Sequence, residues 1–114
     1  MAEHFFARII NQKQASPGDP HSGTIVTIEL GIATPGDNGV LVPDALEALA
    51  ALSLQGGAGI RFTGRISLPV AMALSHAVAH LYGYVAMFDP KLEQYVVAVS
   101  HKPGIKPGDL LSKD

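Results

Sequence analysis

Most side chains able to grip an anion or move a proton fall between residues 64 and 101: Arg65, Ser67, His76, His80, Asp89, Lys91 and His101. Arg65 follows Gly64 and precedes a predicted helix that Ser67 can cap. An arginine beside a helix N-terminus suits an anion, because the dipole and the free N–H groups favour negative charge and the guanidinium adds a fork of donors. Phosphate is the natural guess. His76 and His80 are four apart on one helical face, a spacing that can bind a metal, although no third ligand is close in sequence. Plainer readings stand beside these. Arg65 can be an ordinary surface cation, and Asp89-Pro90 suits the first two positions of a type I turn. Lys91 can be a solvated turn residue and His101 an exposed strand end. His80 near a helix C-terminus favours the dipole when charged. His4 and His21 lie outside any pattern and read as surface.

The elements that must carry these residues follow from periodicity and punctuation. Residues 5–11 and 24–30 read as strands, separated by a loop over 12–22 that holds Pro17, Gly18, Asp19 and Pro20. A second loop covers 31–42. The spacing predicts a first helix over 43–54, with Pro43, Asp44 and Glu47 in its first turn, an apolar stripe of Leu46, Leu49, Ala50 and Leu54, and a stop at Gly56-Gly57. A third strand follows over 59–63. The second helix, alanine-rich and apolar on most faces, is predicted to reach Tyr82-Gly83 with Pro69 in its first turn; such a helix is expected to be buried on several sides, partly in an oligomer interface. Residues 84–88 and 95–99 then form an antiparallel hairpin around the turn at Asp89–Glu93. Residues 104–114 read as a loose tail with Leu110 and Leu111 tacked down. The expected fold is one α/β domain over residues 1–114, with a mixed sheet of about five strands in the chain order β-β-α-β-α-β-β.

Composition narrows the function classes. The sequence has 114 residues, enough for one core without staples, and no cysteine, which excludes disulfides and thiolate metal sites. The formal charge of −2 leaves no broad basic footprint for nucleic acid, so an anionic ligand needs a local site. The first residues lack a charged-then-apolar signal pattern, and the apolar stretch over 68–81 is too short to span a bilayer. A cytoplasmic location is expected, with no membrane or DNA partner.

Chain order alone divides the candidates into two groups. A strand–helix–strand crossover is expected to be right-handed and parallel. The C-terminal ends of strands three and four then share one edge, which collects Gly64, Arg65, Ser67, Asp89 and Lys91. The opposite edge collects His80 and His101. A strand of this length separates the edges by roughly 15 Å. His80 and Asp89 of one chain are therefore not expected to meet; cooperation between them requires a contact between molecules.

The ordered set Gly59–Arg65 (GIRFTGR), Pro69, the helix with His76 and His80, Tyr84–Leu92 (YVAMFDPKL), Val96–His101 and Gly108-Asp109 resembles the stand-alone ring nucleases of type III CRISPR systems. That family degrades cyclic tetra-adenylate and was earlier described as a manganese-dependent RNA deadenylase. The resemblance spans residues 24–111 and is strongest over 59–101. It implies a distantly Rossmann-like fold, as in CRISPR-associated nucleotide-sensing domains. It also implies a homodimer, two of which sandwich the cyclic ligand, and a composite site in which a histidine of one dimer faces an aspartate and a basic residue of the other. By motif, His80 takes the histidine role, with His76 the alternative, and Asp89 the aspartate role. Lys91 stands where the family commonly has arginine; lysine keeps the charge and loses the bidentate fork.

The resemblance therefore implies a phosphodiesterase that binds and cleaves cyclic oligoadenylate, chiefly cyclic tetra-adenylate, and so switches off antiviral signalling. His80, Asp89 and Lys91 are the expected catalytic set. Gly64, Arg65, Ser67, His76 and His101 are the expected ligand contacts. The implied cofactor is a divalent metal, manganese, for which Asp89 is the candidate ligand. A linear RNA 3′ exonuclease or deadenylase and a non-catalytic cyclic-oligoadenylate binding module are the alternatives; a cyclic substrate outcompeting linear oligoadenylate separates the first, and turnover separates the second.

Overall fold

A computed structural model describes residues 2–15 and 23–113. Eight elements follow one another: β1 (Phe5–Gln14), β2 (Thr24–Ile32), α1 (Asn38–Ala50), β3 (Gly59–Gly64), α2 (Leu68–Val78), β4 (Tyr84–Asp89), β5 (Gln94–Ser100) and β6 (Leu110–Ser112). The expected α/β class and mixed sheet are found, with six strands in place of about five. Residues 16–22 of the expected first loop, His21 among them, lie outside the described residues.

The strands lie side by side in chain order, β1-β2-β3-β4-β5-β6. The β2–β3 and β3–β4 pairs are parallel, and the other three are antiparallel. Because strand order never reverses, crossovers of one hand carry both helices to the same face. The burial agrees. Val26, Ile28 and Leu30 of β2, Ile60 and Phe62 of β3 and Val85 of β4 point to one side and pack against Leu41, Ala45 and Leu49 of α1 and Val70, Leu74 and Val78 of α2. Each such side chain contributes roughly 1.5–3 kcal/mol on burial.

The other face holds a smaller cluster of Tyr84, Ala86, Tyr95 and Val97, onto which Phe88, Ile105 and Leu111 fold. The described part of the expected tail, residues 104–113, is thus not loose. Gly108 N donates to Val97 O (2.7 Å), Val97 N to Asp109 O (2.9 Å), and β6 continues the ladder along β5. Leu111 is the tacked residue; Leu110 stays exposed. Arg61 anchors this layer. It is 8% exposed, its Nε donates to the Tyr84 hydroxyl (3.0 Å), and its Nη1 donates to the Ser112 carbonyl (3.0 Å). Its guanidinium also lies by the rings of Tyr84 and Tyr95.

Both helices depart from their expected bounds. Helix α1 starts at Asn38, inside the expected second loop, because Asp37 caps it by accepting from Val40 N (3.2 Å). Pro43 therefore lies inside the helix, and no acidic residue occupies the first turn. Asp44 instead accepts backbone N–H groups from Glu3 (3.1 Å) and His4 (2.8 Å), pinning the entry to β1. The buried stripe is Leu41, Ala45 and Leu49; Leu46 and Ala50 are exposed, and Leu54 packs from the loop beyond the helix. Helix α1 ends at Ala50, well before Gly56-Gly57, and Ser53 takes the left-handed turn (φ 52°). Those glycines serve a close approach, since a Cβ on Gly57 would lie 2.4 Å from Thr24 O.

Helix α2 begins as expected, with Ser67 accepting from Val70 N and Pro69 in the first turn. It ends at Val78 and not at Tyr82-Gly83. Only one side is buried, through Val70, Leu74 and Val78, while Leu68 (80% exposed) and Met72 (75%) face out. No helix among the described residues is long and apolar enough to cross a membrane.

Candidate functional site

The first edge of the sheet is formed where β3 and β4 end. Their register pairs Phe62 with Met87, and each strand runs two residues further, to Gly64 and to Asp89. Gly64 has φ 128°, and a Cβ there would lie 2.0 Å from Leu30 O. The fold alone therefore demands this glycine, whatever binds nearby. It lets the chain leave β3 and deliver Arg65 to the surface. Arg65 and Lys91 are exposed, and neither forms an ion pair among the described residues.

Helix α2 opens directly behind. Its N-terminus offers fewer free donors than the sequence pattern suggests, because Pro69 has no N–H and Val70 N is turned to Ser67 Oγ (3.4 Å). The cation pair, rather than a fan of N–H groups, is the chief anion-attracting feature of this edge. Ser67 Oγ also donates to Asn38 Oδ1 (2.7 Å). Asn38 was missed because it lies in a stretch read as loop; the signal was Asp37 three residues before Val40, an N-cap spacing.

The hairpin presents Asp89 and Lys91. Asp89 Oδ1 accepts from Lys91 N (2.8 Å) and Leu92 N (3.3 Å), and Asp89 O accepts from Glu93 N (2.8 Å). The turn reading of Asp89 is thus correct. Both side-chain bonds fall on Oδ1, so the turn does not require Oδ2. Glu93 closes the turn in the left-handed region (φ 54°). A shallow concavity beside it is lined by Met87, Phe88, Asp89, Pro90 and Val96.

The opposite edge carries the histidines. His80 sits in the turn after α2, its ring 5.8 Å from that of His76 between centroids and nearly perpendicular to it (80°). His101 follows β5, and its backbone N donates to Gly83 O (2.7 Å), which brings it to the same end. All three histidines are exposed. Among the described residues, no three His, Asp or Glu side chains converge as a metal-ligand set. Asp89 by itself is one carboxylate, so a divalent ion at its edge would need further donors from a ligand phosphate or a second chain. His4, read as a plain surface residue, has Nδ1 at 3.2 Å from both Thr34 O and Pro35 O, so it helps close the loop before α1.

The expected residues therefore fall into two groups. Gly64, Arg65, Ser67, Asp89 and Lys91 share one edge, and His76, His80 and His101 share the other. Strand β4 runs between them, about 16 Å at about 3.3 Å per residue.

Compared with known proteins, the chain matches a family model described as CRISPR-associated protein (Cas_csx3) over residues 35–112. The match takes in α1 through β6 and every candidate residue of both edges, and leaves β1 and β2 outside. No curated protein and no solved structure matches the chain.

Proposed function

The chain belongs to the CRISPR-associated protein family Cas_csx3, and on that premise we propose that it is a phosphodiesterase that binds and cleaves a cyclic oligoadenylate, with cyclic tetra-adenylate its expected ring. The observation that carries this reading is the division of the candidates between two edges of one sheet. One edge has two cations with no ion pair among the described residues and a carboxylate with one oxygen outside the turn's hydrogen bonds; the other has exposed imidazoles. Neither edge alone holds an imidazole together with a phosphate-gripping set. Facing edges of two molecules would hold both, around a ligand large enough to touch each.

In that arrangement Arg65 and Lys91 grip phosphate and offset the charge that develops during cleavage. The imidazole of His80, from the facing molecule, moves the proton. Asp89 uses its second oxygen to orient the attacking hydroxyl or to help hold a divalent ion; manganese would supply charge neutralisation at the phosphate when bound. Lysine in place of a family arginine makes a point contact and not a fork, so grip at this position is looser. Self-association is part of the reading. Leu68 and Met72 leave an apolar strip along the N-terminal half of α2, one turn short of His76. A homodimer joined there, with two dimers enclosing the ligand, covers that surface.

The test is to incubate pure protein with cyclic tetra-adenylate, with and without manganese, and to separate the products. Linear adenylates from the ring support the reading. Preference for a linear oligoadenylate with a free 3′ end replaces it with an exonuclease. Tight binding without turnover in either condition replaces it with a binding module.

A further inference from the structure

We propose that His76 and His80 form a two-histidine site for a borderline transition-metal ion of the zinc or copper class, and that filling this site takes the His80 imidazole out of action. The first half stands on geometry alone; the second rests on the role given to His80 above.

The helical hydrogen bonds of α2 stop at Val78, but the chain keeps turning. Ala79 N donates to Ser75 O (2.9 Å) and Leu81 N to Val78 O (2.9 Å). His80 therefore stays one turn beyond His76 on the same side. Their centroids lie 5.8 Å apart with the planes at 80°. One ion about 2.0–2.1 Å from a nitrogen of each ring puts two imidazoles at nearly this separation. A small rotation of the side chains completes the fit, and nothing opposes it, since neither ring is hydrogen-bonded among the described residues.

The surroundings favour a cation. Both rings are exposed, so an ion in solution reaches them directly. They stand at the C-terminal end of α2, where the helix dipole presents its negative pole. The choice of ion follows from the donors. Imidazole nitrogen suits zinc, copper and nickel, whereas manganese and magnesium prefer carboxylate and water oxygen. This site is therefore chemically separate from any manganese position near Asp89, one strand length away. His101 reaches the same end through its backbone bond to Gly83, but no three-residue ligand set forms there. Water fills the remaining positions.

An imidazole nitrogen that holds a metal has no lone pair left to take a proton. Zinc or copper at this pair therefore inhibits whatever His80 does by proton transfer, and leaves the Asp89 edge untouched.

The experiment uses the full chain without a histidine tag. Zinc and copper are titrated at neutral pH by calorimetry, with manganese as the comparison ion. The expected result is one zinc or copper per chain and far weaker manganese binding. His76→Ala and His80→Ala should each weaken binding by at least the roughly 10–100-fold that loss of a supporting group costs a metal site. His101→Ala should leave it within about twofold, because His101 is not a ligand here. Unchanged zinc affinity in His76→Ala overturns the site. The second arm measures cleavage of cyclic tetra-adenylate at fixed manganese, each variant scaled to its own zinc-free rate. Wild type should lose activity as zinc fills the site, and His76→Ala should lose little at the same zinc concentration. Equal inhibition of both overturns the regulatory half. If zinc binds through the pair but wild type cleaves no ring, the functional reading fails and the metal site stands.

Discussion

Ser67 Oγ donates to Asn38 Oδ1 across 2.7 Å, and this bond ties the N-terminus of α2 to that of α1. Both helices open at the edge that also carries Arg65 and Asp89, so the bond fixes the frame of the proposed anion-binding edge. Ser67 does two jobs, because its oxygen also caps α2 through Val70 N. Ser67→Ala should cost about 0.5–2 kcal/mol from the lost cap. Asn38→Ala should cost about 0.5–1.5 kcal/mol from the lost tie. The double variant should lose less than the sum, and urea unfolding of the four proteins measures the coupling. Additivity to within about 0.3 kcal/mol would mean that the two helix ends are independent.

Asp44 gives the fold an acid-sensitive clasp. Backbone hydrogen bonding from His4 holds its carboxyl below the ordinary value of 3.8; desolvation works against this, and a further bond from Glu3 and the charges of His4 and the N-terminus add to the lowering. A folded value below the unfolded one means that the clasp stabilises fully above about pH 4 and fades as pH falls through the folded value. Asp44→Asn keeps an oxygen acceptor and removes the titration. The stability gap between wild type and Asp44→Asn should therefore close below about pH 4, read from urea midpoints across pH. A gap that stays constant down to the acid transition would show that the carboxylate charge adds nothing.

Much of this was legible in the sequence, and the misses share a cause. Strand positions followed from runs such as Ile25–Val26 and Tyr84–Val85, and the parallel crossover from β3 through α2 to β4 followed from chain order, so the two-edge division of candidates was readable. The helix ends were not. Pro43 looked like a helix start because proline favours first turns, yet Asp37 had already capped the helix and the ring was accommodated inside it. The long alanine-rich run looked helical through Tyr82, but Tyr82 is buried and bridges to Gly57, and that strand-like pairing ends the helix early. The tail looked loose because β6 is only three residues long and gains its place from Leu111 and the Ser112 carbonyl. Arg61 was the least readable. A charged residue between Ile60 and Phe62 alternates to the opposite face, and the C-terminal segment covers that face.

Arg61 should be the residue that holds that segment. Its two donors reach Tyr84 and Ser112, and its stem fills space between two tyrosine rings. Arg61→Ala should destabilise the fold by about 2–3 kcal/mol, through lost charge-assisted bonds and a hollow under β6. Hydrogen exchange should speed at residues 110–112 while β2 stays protected. Arg61→Met, which restores the stem, should recover part of the loss. Slow exchange at β6 in Arg61→Ala would show that packing of Leu111 suffices.

Arg65 should matter for grip more than for chemistry. It is exposed at the exit of β3, beside the N-terminus of α2, with no ion pair among the described residues. Arg65→Ala should weaken binding of cyclic tetra-adenylate by about tenfold, the worth of one charge-assisted phosphate bond. The single-turnover rate of the saturated complex should fall much less. A normal dissociation constant with a collapsed rate would move Arg65 from binding to the reaction itself.

The composite site predicts rescue between two inactive proteins. His80 lies in the turn before β4 and Asp89 at its far end, so about 16 Å of strand separates them within a chain. Proton transfer needs contact at about 3 Å. His80→Ala and Asp89→Ala should each be nearly inactive alone. Mixed, a dimer with His80 intact can face a dimer with Asp89 intact across one ligand, and a fraction of wild-type activity should return. The recovered rate should rise steeply with total protein, because two dimers must assemble before the bond breaks. Spectroscopy and ligand titration establish beforehand that both variants fold and bind. If no mixing ratio restores cleavage under those conditions, the reacting groups belong to one chain or one dimer, and the facing-edge arrangement is wrong.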